Sequence, residues 1–184
     1  MAITTLPGAS SSDLTTLQGT ELADSFTLQS SNAYVDALQG NDVISTATGL
    51  EKITLDGGAD ADVVTFTAEV LKSDIKLGLG NDKITVADFS GSIYGSSGDD
   101  SVIVSSARTI TNSLIRGDGG NDDFDFVNVT GSIVNSNSDD DTIDLTGTLT
   151  GSSVYGGRQQ DAITIANATD SLIRGDANED TIGG

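Results

Sequence analysis

One aspartate recurs along the chain with apolar residues at fixed distances on either side. With Asp122 as position zero, apolar residues lie two places later (Phe124), four places later (Phe126) and seven places earlier (Ile115). The frame recurs with its aspartate at Asp24, Asp42, Asp62, Asp82, Asp100, Asp122, Asp141, Asp161 and Asp180, and the column at +4 lapses only at Thr46 and Gly184. Units this short cannot bury an apolar face alone. We therefore predict a solenoid whose stacked coils share one core.

The residues around each aspartate indicate strands. Asp123 to Phe126 alternate polar and apolar, which is typical of a half-buried strand. A helical pair needs about 30 residues or more, and the leucine ladder of leucine-rich repeats is absent. We predict an all-β fold, a right-handed parallel β-helix or β-roll solenoid of about nine coils with roughly 18–22 residues per coil. Differences in coil length should fall between the strand after the aspartate and the next apolar anchor.

The frame also divides the chain. Residues 1–16 precede the first repeat and carry Leu6 and Leu14, which predicts an N-terminal cap rather than a loose tail. Residues 17–184 form the predicted solenoid. Ile182 belongs to a core column close to the last residue, so the sequence predicts either a continuing repeat or end-to-end self-association of solenoids through open coil faces.

Composition excludes several classes of function. The chain has no Cys and no His, which removes disulfides and His-based catalytic triads. A net charge of -20 argues against nucleic acid, which needs a basic face. The first residues contain neither a basic segment nor a long apolar run, so they predict no secretory signal peptide and no membrane span. Because the acidic groups recur within the turns, stacking would align them in a column of like charge.

The turns resemble the glycine-rich nonapeptide G-G-x-G-x-D-x-U-x of RTX (haemolysin-type) calcium-binding proteins. Gly117–Asp125 follows it with Asp118 in place of the second glycine, and Leu77–Thr85 keeps the second and third glycines and the aspartate. Gly95–Ile103 keeps the first and third glycines, and Gly57–Thr65 keeps the first pair. The resemblance extends over residues 17–184. RTX blocks usually carry the motif on both turns of a coil, whereas this chain carries it on one, so any calcium should lie along one edge.

Calcium takes six to eight oxygen ligands from carboxylates and carbonyls alike. The resemblance therefore implies ions held between consecutive turns, such as Asp42 with Asp62 or Asp82 with Asp100. The candidate ligands are the frame aspartates Asp42, Asp62, Asp82, Asp100, Asp122, Asp141 and Asp180, the additional carboxylates Asp60, Asp99 and Asp118, and the turn glycines Gly40, Gly57, Gly80, Gly98, Gly117 and Gly120. The competing interpretation is that Asp and Gly only make solvated turns.

The resemblance to RTX proteins, together with these features, implies a secreted, extracellular calcium-binding structural protein of the cell surface. It would form a stiff rod in a surface layer, sheath or self-assembling filament. The alternative is a calcium-folded accessory module of a larger secreted enzyme, toxin or adhesin. Carboxylate pairs such as Asp60 and Asp62 fall on repeat positions, so we predict no catalytic activity. The negative net charge predicts no nucleic-acid partner, and the lack of a long apolar run predicts no membrane insertion.

Overall fold

The computed structural model describes residues 2–3, 15–105 and 107–184, and these form strands and turns without any helix. The strands are β1 Ala2–Ile3, β2 Thr15–Gln18, β3 Ser25–Thr27, β4 Ala33–Asp36, β5 Val43–Thr46, β6 Leu50–Glu51, β7 Thr54–Ala59, β8 Val63–Phe66, β9 Val70–Leu79, β10 Lys83–Val86, β11 Phe89–Ser97, β12 Ser101–Val104, β13 Thr109–Thr111, β14 Leu114–Gly119, β15 Asp123–Phe126, β16 Asn128–Thr130, β17 Ile133–Ser138, β18 Thr142–Thr150, β19 Ser153–Gly157, β20 Ala162–Thr169, β21 Leu172–Asp176 and β22 Thr181–Gly183. Within those ranges there is no helix long and apolar enough to cross a membrane.

The strands stack as a parallel β-solenoid of about nine coils, which confirms the predicted fold class. One face holds the strands that follow each frame aspartate, in the order β3, β5, β8, β10, β12, β15, β18, β20 and β22. A second face holds the strands that precede each aspartate turn, from β2 to β21. Equivalent positions of the repeat pair with one another in neighbouring coils, since Ile84 pairs with Val64 and with Val102. The handedness stays a prediction.

A third, shorter row of pairings closes each coil. It contains β6, the first residues of β9 and β11, then β13, β16 and the last residues of β18 and β20. The sequence frame did not predict this row. Its inward residues form a further core column of Leu50, Val70, Phe89, Ile110, Val129 and Leu149. Differences in coil length are absorbed beside this row, as expected, because the register shifts between Phe89 and Gly91 and between Leu145 and Thr148.

The predicted core columns are buried. The residues seven before and two after the frame aspartates are almost fully buried from the Val35 coil to the Val154 coil. Thr46, where the +4 column lapses, is also buried, and its hydroxyl donates to the carbonyl oxygen of Thr48 at 2.9 Å. Ile173 is only partly buried and Ile182 is exposed. Most of the predicted cap, residues 4–14, lies outside the described residues, and β1 pairs with β3.

Candidate functional site: the aspartate ladder

The glycine-rich turns share one backbone shape. In the Asp62, Asp82, Asp100 and Asp122 coils, positive φ angles occur four and two residues before the aspartate. The predicted glycines Gly40, Gly80, Gly98 and Gly120 all lie at the second of these positions, with φ between 103 and 129°. Only glycine adopts such angles without a steric penalty. This shape directs the frame aspartate inward, beneath the turn, rather than toward solvent.

The frame aspartates form a buried ladder rather than a solvated row. Oδ1 of each one accepts the backbone N–H of the preceding frame aspartate, at 2.6 to 3.1 Å, from the Asp24–Asp42 pair to the Asp161–Asp180 pair. The side chains from Asp42 to Asp161 are at most 2 % exposed, and Asp180 is half-buried. One carboxylate oxygen therefore satisfies a backbone donor of the neighbouring coil.

The second oxygen of the same carboxylates has no such partner. In seven consecutive coils a buried Oδ2 makes no hydrogen bond with the described residues: Asp42, Asp62, Asp82, Asp100, Asp122, Asp141 and Asp161. A buried carboxylate oxygen without a donor or a cation costs free energy, because burial removes its hydration. The ladder therefore presents a line of unsatisfied acceptors along one edge of the solenoid.

Glycine five places before the aspartate gives this oxygen its space. A Cβ added at Gly57 would lie 2.8 Å from Oδ2 of Asp62 and would collide with the carbonyl oxygen of Leu77, in the next coil. A Cβ at Gly117 would collide with Oδ2 of Asp122 and lie 2.9 Å from the carbonyl oxygen of Ser136. A carboxylate oxygen and a carbonyl oxygen from the next coil thus face the same point.

Burial raises the pKa of these carboxyls. Desolvation, with a smaller contribution from neighbouring carboxylates, raises the pKa of Asp62 and Asp100 to about 7 and that of Asp122 to about 8, although the ladder N–H bonds lower each of them. The pKa of Asp141 rises to about 7 and that of Asp161 to about 6 for the same first cause. The row of buried frame carboxylates therefore favours the binding of any positively charged species, including a proton.

The additional predicted ligands lie on the outer side of the turns and accept other hydrogen bonds. Asp60 accepts the N–H of Gly40 at 3.1 Å, and Asp99 accepts that of Asn121 at 2.9 Å. Asp118 accepts from the Asn137 amide at 2.9 Å and lies 3.3 Å from Arg116. In the part of the chain that the structure describes, no three acidic side chains form a cluster that could hold a metal ion by themselves.

A second buried ladder lies at the corner between the third row and the second face, and the sequence reading missed it. Ser73, Ser113, Ser132, Ser152 and Ser171 each accept an N–H of the preceding coil at 2.9 to 3.2 Å. Each also donates to the carbonyl two residues earlier, at 2.8 to 3.0 Å. The signal was available, because each serine lies nine places before a frame aspartate. A hydroxyl thus completes the same inter-coil contact with no atom unsatisfied.

The two ladders show what the aspartates add. Serine suffices to accept an N–H from the preceding coil, so that contact does not explain a buried carboxylate. The carboxylate brings a second oxygen and a negative charge, both of which suit a hard divalent cation with carbonyl co-ligands. The residues present could therefore contribute two oxygen ligands to calcium at each turn, Oδ2 of a frame aspartate and the carbonyl oxygen of the next coil.

Comparisons with family models, curated proteins and solved structures gave no match to the chain.

Proposed function

We infer that this chain is a calcium-binding structural protein, a solenoid rod whose inner acidic edge is neutralised by divalent cations. The observation that carries the inference is the row of buried Oδ2 atoms without donors, from Asp42 to Asp161. The saturated serine ladder supports it, because the same scaffold closes its inter-coil bonds elsewhere without charge. The resemblance of the turns to RTX calcium-binding repeats supports the choice of calcium.

Calcium would stabilise the folded chain because it binds the folded state in preference to the unfolded state. Extracellular calcium modules bind with dissociation constants of about 10⁻⁴–10⁻³ M. At millimolar calcium each such site stabilises the folded state by about 0.4–1.4 kcal/mol, and several sites add up to a sizeable part of a domain's stability. The chain would then be weakly structured at low cytosolic calcium and would fold at the cell surface. Extracellular localisation is part of this proposal.

The folding proposal is tested by unfolding the full chain in excess chelator, in calcium and in magnesium at equal ionic strength. We expect the urea midpoint to rise with calcium and the strand signal in circular dichroism to become cooperative. A triple variant, Asp62→Asn, Asp100→Asn and Asp122→Asn, should show a smaller rise of the midpoint with calcium than the wild-type chain. An identical cooperative transition of the wild-type chain in chelator and in calcium would overturn the proposal.

A rod role and an accessory-module role predict different behaviour of the purified chain. A surface-layer or filament protein should form ordered end-to-end polymers in calcium, as electron microscopy would show. A folding module of a larger secreted protein should stay as dispersed monomers under the same conditions. We propose the rod role, because the coils are paired in continuous parallel register over the described residues 15–105 and 107–184.

A further inference from the structure

All three tyrosines of the chain lie on the outer side of the second face. Tyr34 lies eight places before its frame aspartate, and Tyr94 and Tyr155 lie six places before theirs. Each is partly exposed and alternates with a buried core residue of the same strand. Tyrosine is enriched in protein interfaces, because its ring is apolar and its hydroxyl forms hydrogen bonds. The outward positions six and eight places before the frame aspartates therefore form a candidate interaction surface, which we call the tyrosine face.

Arginine and apolar side chains accompany two of these tyrosines. Tyr94 pairs with Arg116 of the next coil, and Tyr155 pairs with Arg174. Ile133, in an intervening strand, is 46% exposed. Tyrosine and arginine are enriched among the residues that contribute most to binding at interfaces. The half of the tyrosine face from β11 to β21 is thus aromatic, aliphatic and cationic.

The tyrosine face is electrically neutral, although the whole chain carries a net charge of -20. Its outward positions hold three carboxylates and three cations: Asp36, Asp56, Asp74, Lys76, Arg116 and Arg174. The carboxylates lie in β4, β7 and β9, together with the lysine, whereas both arginines lie further along the solenoid, in β14 and β21. The charges therefore divide the face into an acidic half and a basic half along the solenoid axis.

Ion pairs within one chain leave the arginines accessible to a partner. Arg116 lies 3.3 Å from Asp118, in the turn beside the face, yet 40% of its side chain stays exposed. Arg174 is exposed as well, with the exposed Asp176 in the turn that follows it. Exposed ion pairs contribute little to stability by themselves. Both guanidinium groups can therefore contact a further carboxylate or an aromatic ring.

We propose that the tyrosine face binds the same face of a second copy of this chain, with the two solenoids antiparallel. A two-fold axis parallel to the strands, between β11 and β14, brings Arg174 opposite Asp36 of the other copy and Arg116 opposite Tyr94 of the other copy. Each contact forms twice, as an ion pair and as a cation–π contact. A parallel pair would instead place the acidic half against itself and the basic half against itself, which is unfavourable.

The size of the tyrosine face fits such a dimer. Nine strands about 4.8 Å apart, with about 3.3 Å for each of five residues, give roughly 600 Å² per copy. Two copies would bury about 1,200 Å² in total, at the lower end of the range for specific interfaces. In the described coils the outward residues of the first face, from β3 to β22, include no aromatic residue and no arginine. The pairing uses no carboxylate of the aspartate ladder, so it goes beyond the proposed calcium binding.

Cross-linking of the full chain in calcium tests the arrangement, because the chain has no cysteine of its own. Thr54 and Ser153 both lie eight places before a frame aspartate and face each other in the antiparallel pair. A mixture of Thr54→Cys and Ser153→Cys chains should cross-link through a bismaleimide with a spacer of about 10 Å, the distance between packed sheets. Neither variant should cross-link with itself. Chains stacked end to end would hold these positions about 19 Å apart, beyond that spacer.

The matched control uses the same two coils on the first face. Val63 and Ala162 are exposed there, each one place after its frame aspartate. A mixture of Val63→Cys and Ala162→Cys chains should give no cross-link at the same concentration. Circular dichroism of each variant in calcium establishes that the chains are folded.

Charge variants of the cross-linking pair test the basis of recognition. When both chains also carry Arg116→Asp and Arg174→Asp, the cross-linked fraction should fall by about tenfold or more, because like charges then face each other. When one chain carries these substitutions and the other carries Asp36→Arg and Asp74→Arg, the cross-link should return. This recovery shows that the variants are folded and that the loss came from charge.

Three results would overturn the proposal. The first is a cross-link between Thr54→Cys and Ser153→Cys chains that is no stronger than in the first-face control. The second is cross-linking of Thr54→Cys with itself, which requires parallel solenoids. The third is a cross-linked fraction that the charge variants leave unchanged. None of these results bears on calcium binding, which the unfolding experiments test separately.

Discussion

In each central frame aspartate one carboxylate oxygen accepts a hydrogen bond from the preceding coil, whereas the other is buried and has no partner among the described residues. Oδ1 of Asp122 accepts the N–H of Asp100 at 2.9 Å, whereas Oδ2 has no donor within the described chain. Removing the charge while keeping the shape separates these two roles. Asparagine still offers an oxygen to the N–H, and its amide nitrogen can donate to the carbonyl of Ser136, which faces the same point.

Asp122→Asn should therefore stabilise the chain less in calcium than in chelator. In chelator the free energy of unfolding should rise by about 1–3 kcal/mol, because an unpaired buried acceptor is removed. In excess calcium this gain over the wild-type chain should shrink by the roughly 0.4–1.4 kcal/mol that one ion contributes to the wild type. Urea unfolding in both buffers measures the difference. Asp125→Asn, at an exposed carboxylate of the following strand, should change stability little and leave the calcium contribution intact; an equal reduction in both variants would contradict the assignment.

The raised pKa values set the pH dependence of the metal-free chain. The pKa values of Asp62, Asp100 and Asp122 rise from 3.8 to about 7, 7 and 8 on folding, so the folded state binds more protons than the unfolded state between about pH 4 and pH 8. The stabilisation that these three protonated carboxyls contribute is thus fully present below the unfolded pKa. It is lost as the pH rises through the folded pKa values.

In chelator, the free energy of unfolding should fall by on the order of 2 kcal/mol or more from pH 5 to pH 8, since these carboxylates ionise as a coupled row. With excess calcium the fall should be smaller over the same range, because protons and calcium compete for the same oxygens. Urea unfolding at several pH values measures both curves. A metal-free chain that gains stability as the pH rises would show that the carboxylates are not desolvated in the folded state.

At the scale of the elements, the repeated frame predicts two of the three strand rows and misses the third. The columns at −7, +2 and +4 stand at constant distance from the aspartate, so a single alignment on Asp122 exposes them. The third-row column lies twelve places before the next frame aspartate in every coil except that of Phe89, which lies eleven places before Asp100, but its strands β6, β13 and β16 are only two or three residues long and show too little alternation to indicate a strand. The serine ladder escaped notice for a different reason, since serine is also a common turn residue.

The third row should contribute to stability like any other core column. Leu149→Ala removes a fully buried side chain and should cost about 2–5 kcal/mol of unfolding free energy. Leu79→Ala, at a side chain that is 59% exposed, is the control and should cost far less. Thermal or urea unfolding in calcium compares them. Equal, small losses would mean that the third row does not pack against the core.

The serine ladder should stabilise the chain independently of calcium. Ser152→Ala removes the acceptor for the buried N–H of Ser132, at 3.1 Å, and should cost about 1–3 kcal/mol. The neighbouring Ser153 is only partly buried on the outer face, so Ser153→Ala should be nearly neutral. The loss for Ser152→Ala should be the same in chelator and in calcium, as measured by urea unfolding. A loss that appears only in calcium would contradict this prediction, because the contribution of the serine ladder would then depend on calcium.

At the scale of the whole molecule, the period of the repeat was enough to predict the solenoid, the parallel strands and the alignment of the frame aspartates along one edge. It was not enough to predict how those aspartates are used. The sequence did not predict that consecutive aspartates are joined through N–H to Oδ1 bonds, with Oδ2 left beside the next coil's carbonyl; the ions between consecutive turns stay a prediction. The spacing of the repeat determines which residues align. The direction of each side chain depends on the backbone angles of the turn, and glycine allows several of these, so the sequence does not determine it.

The most direct test of this account is a crystal of the full chain grown in excess calcium, with diffraction data collected at a wavelength where calcium scatters anomalously. We predict anomalous peaks along one edge, next to Oδ2 of Asp62, Asp100 and Asp122, with oxygen ligands at about 2.3–2.6 Å. An edge without such peaks, with the same Oδ2 atoms still lacking a partner or bonded only to water, would contradict it.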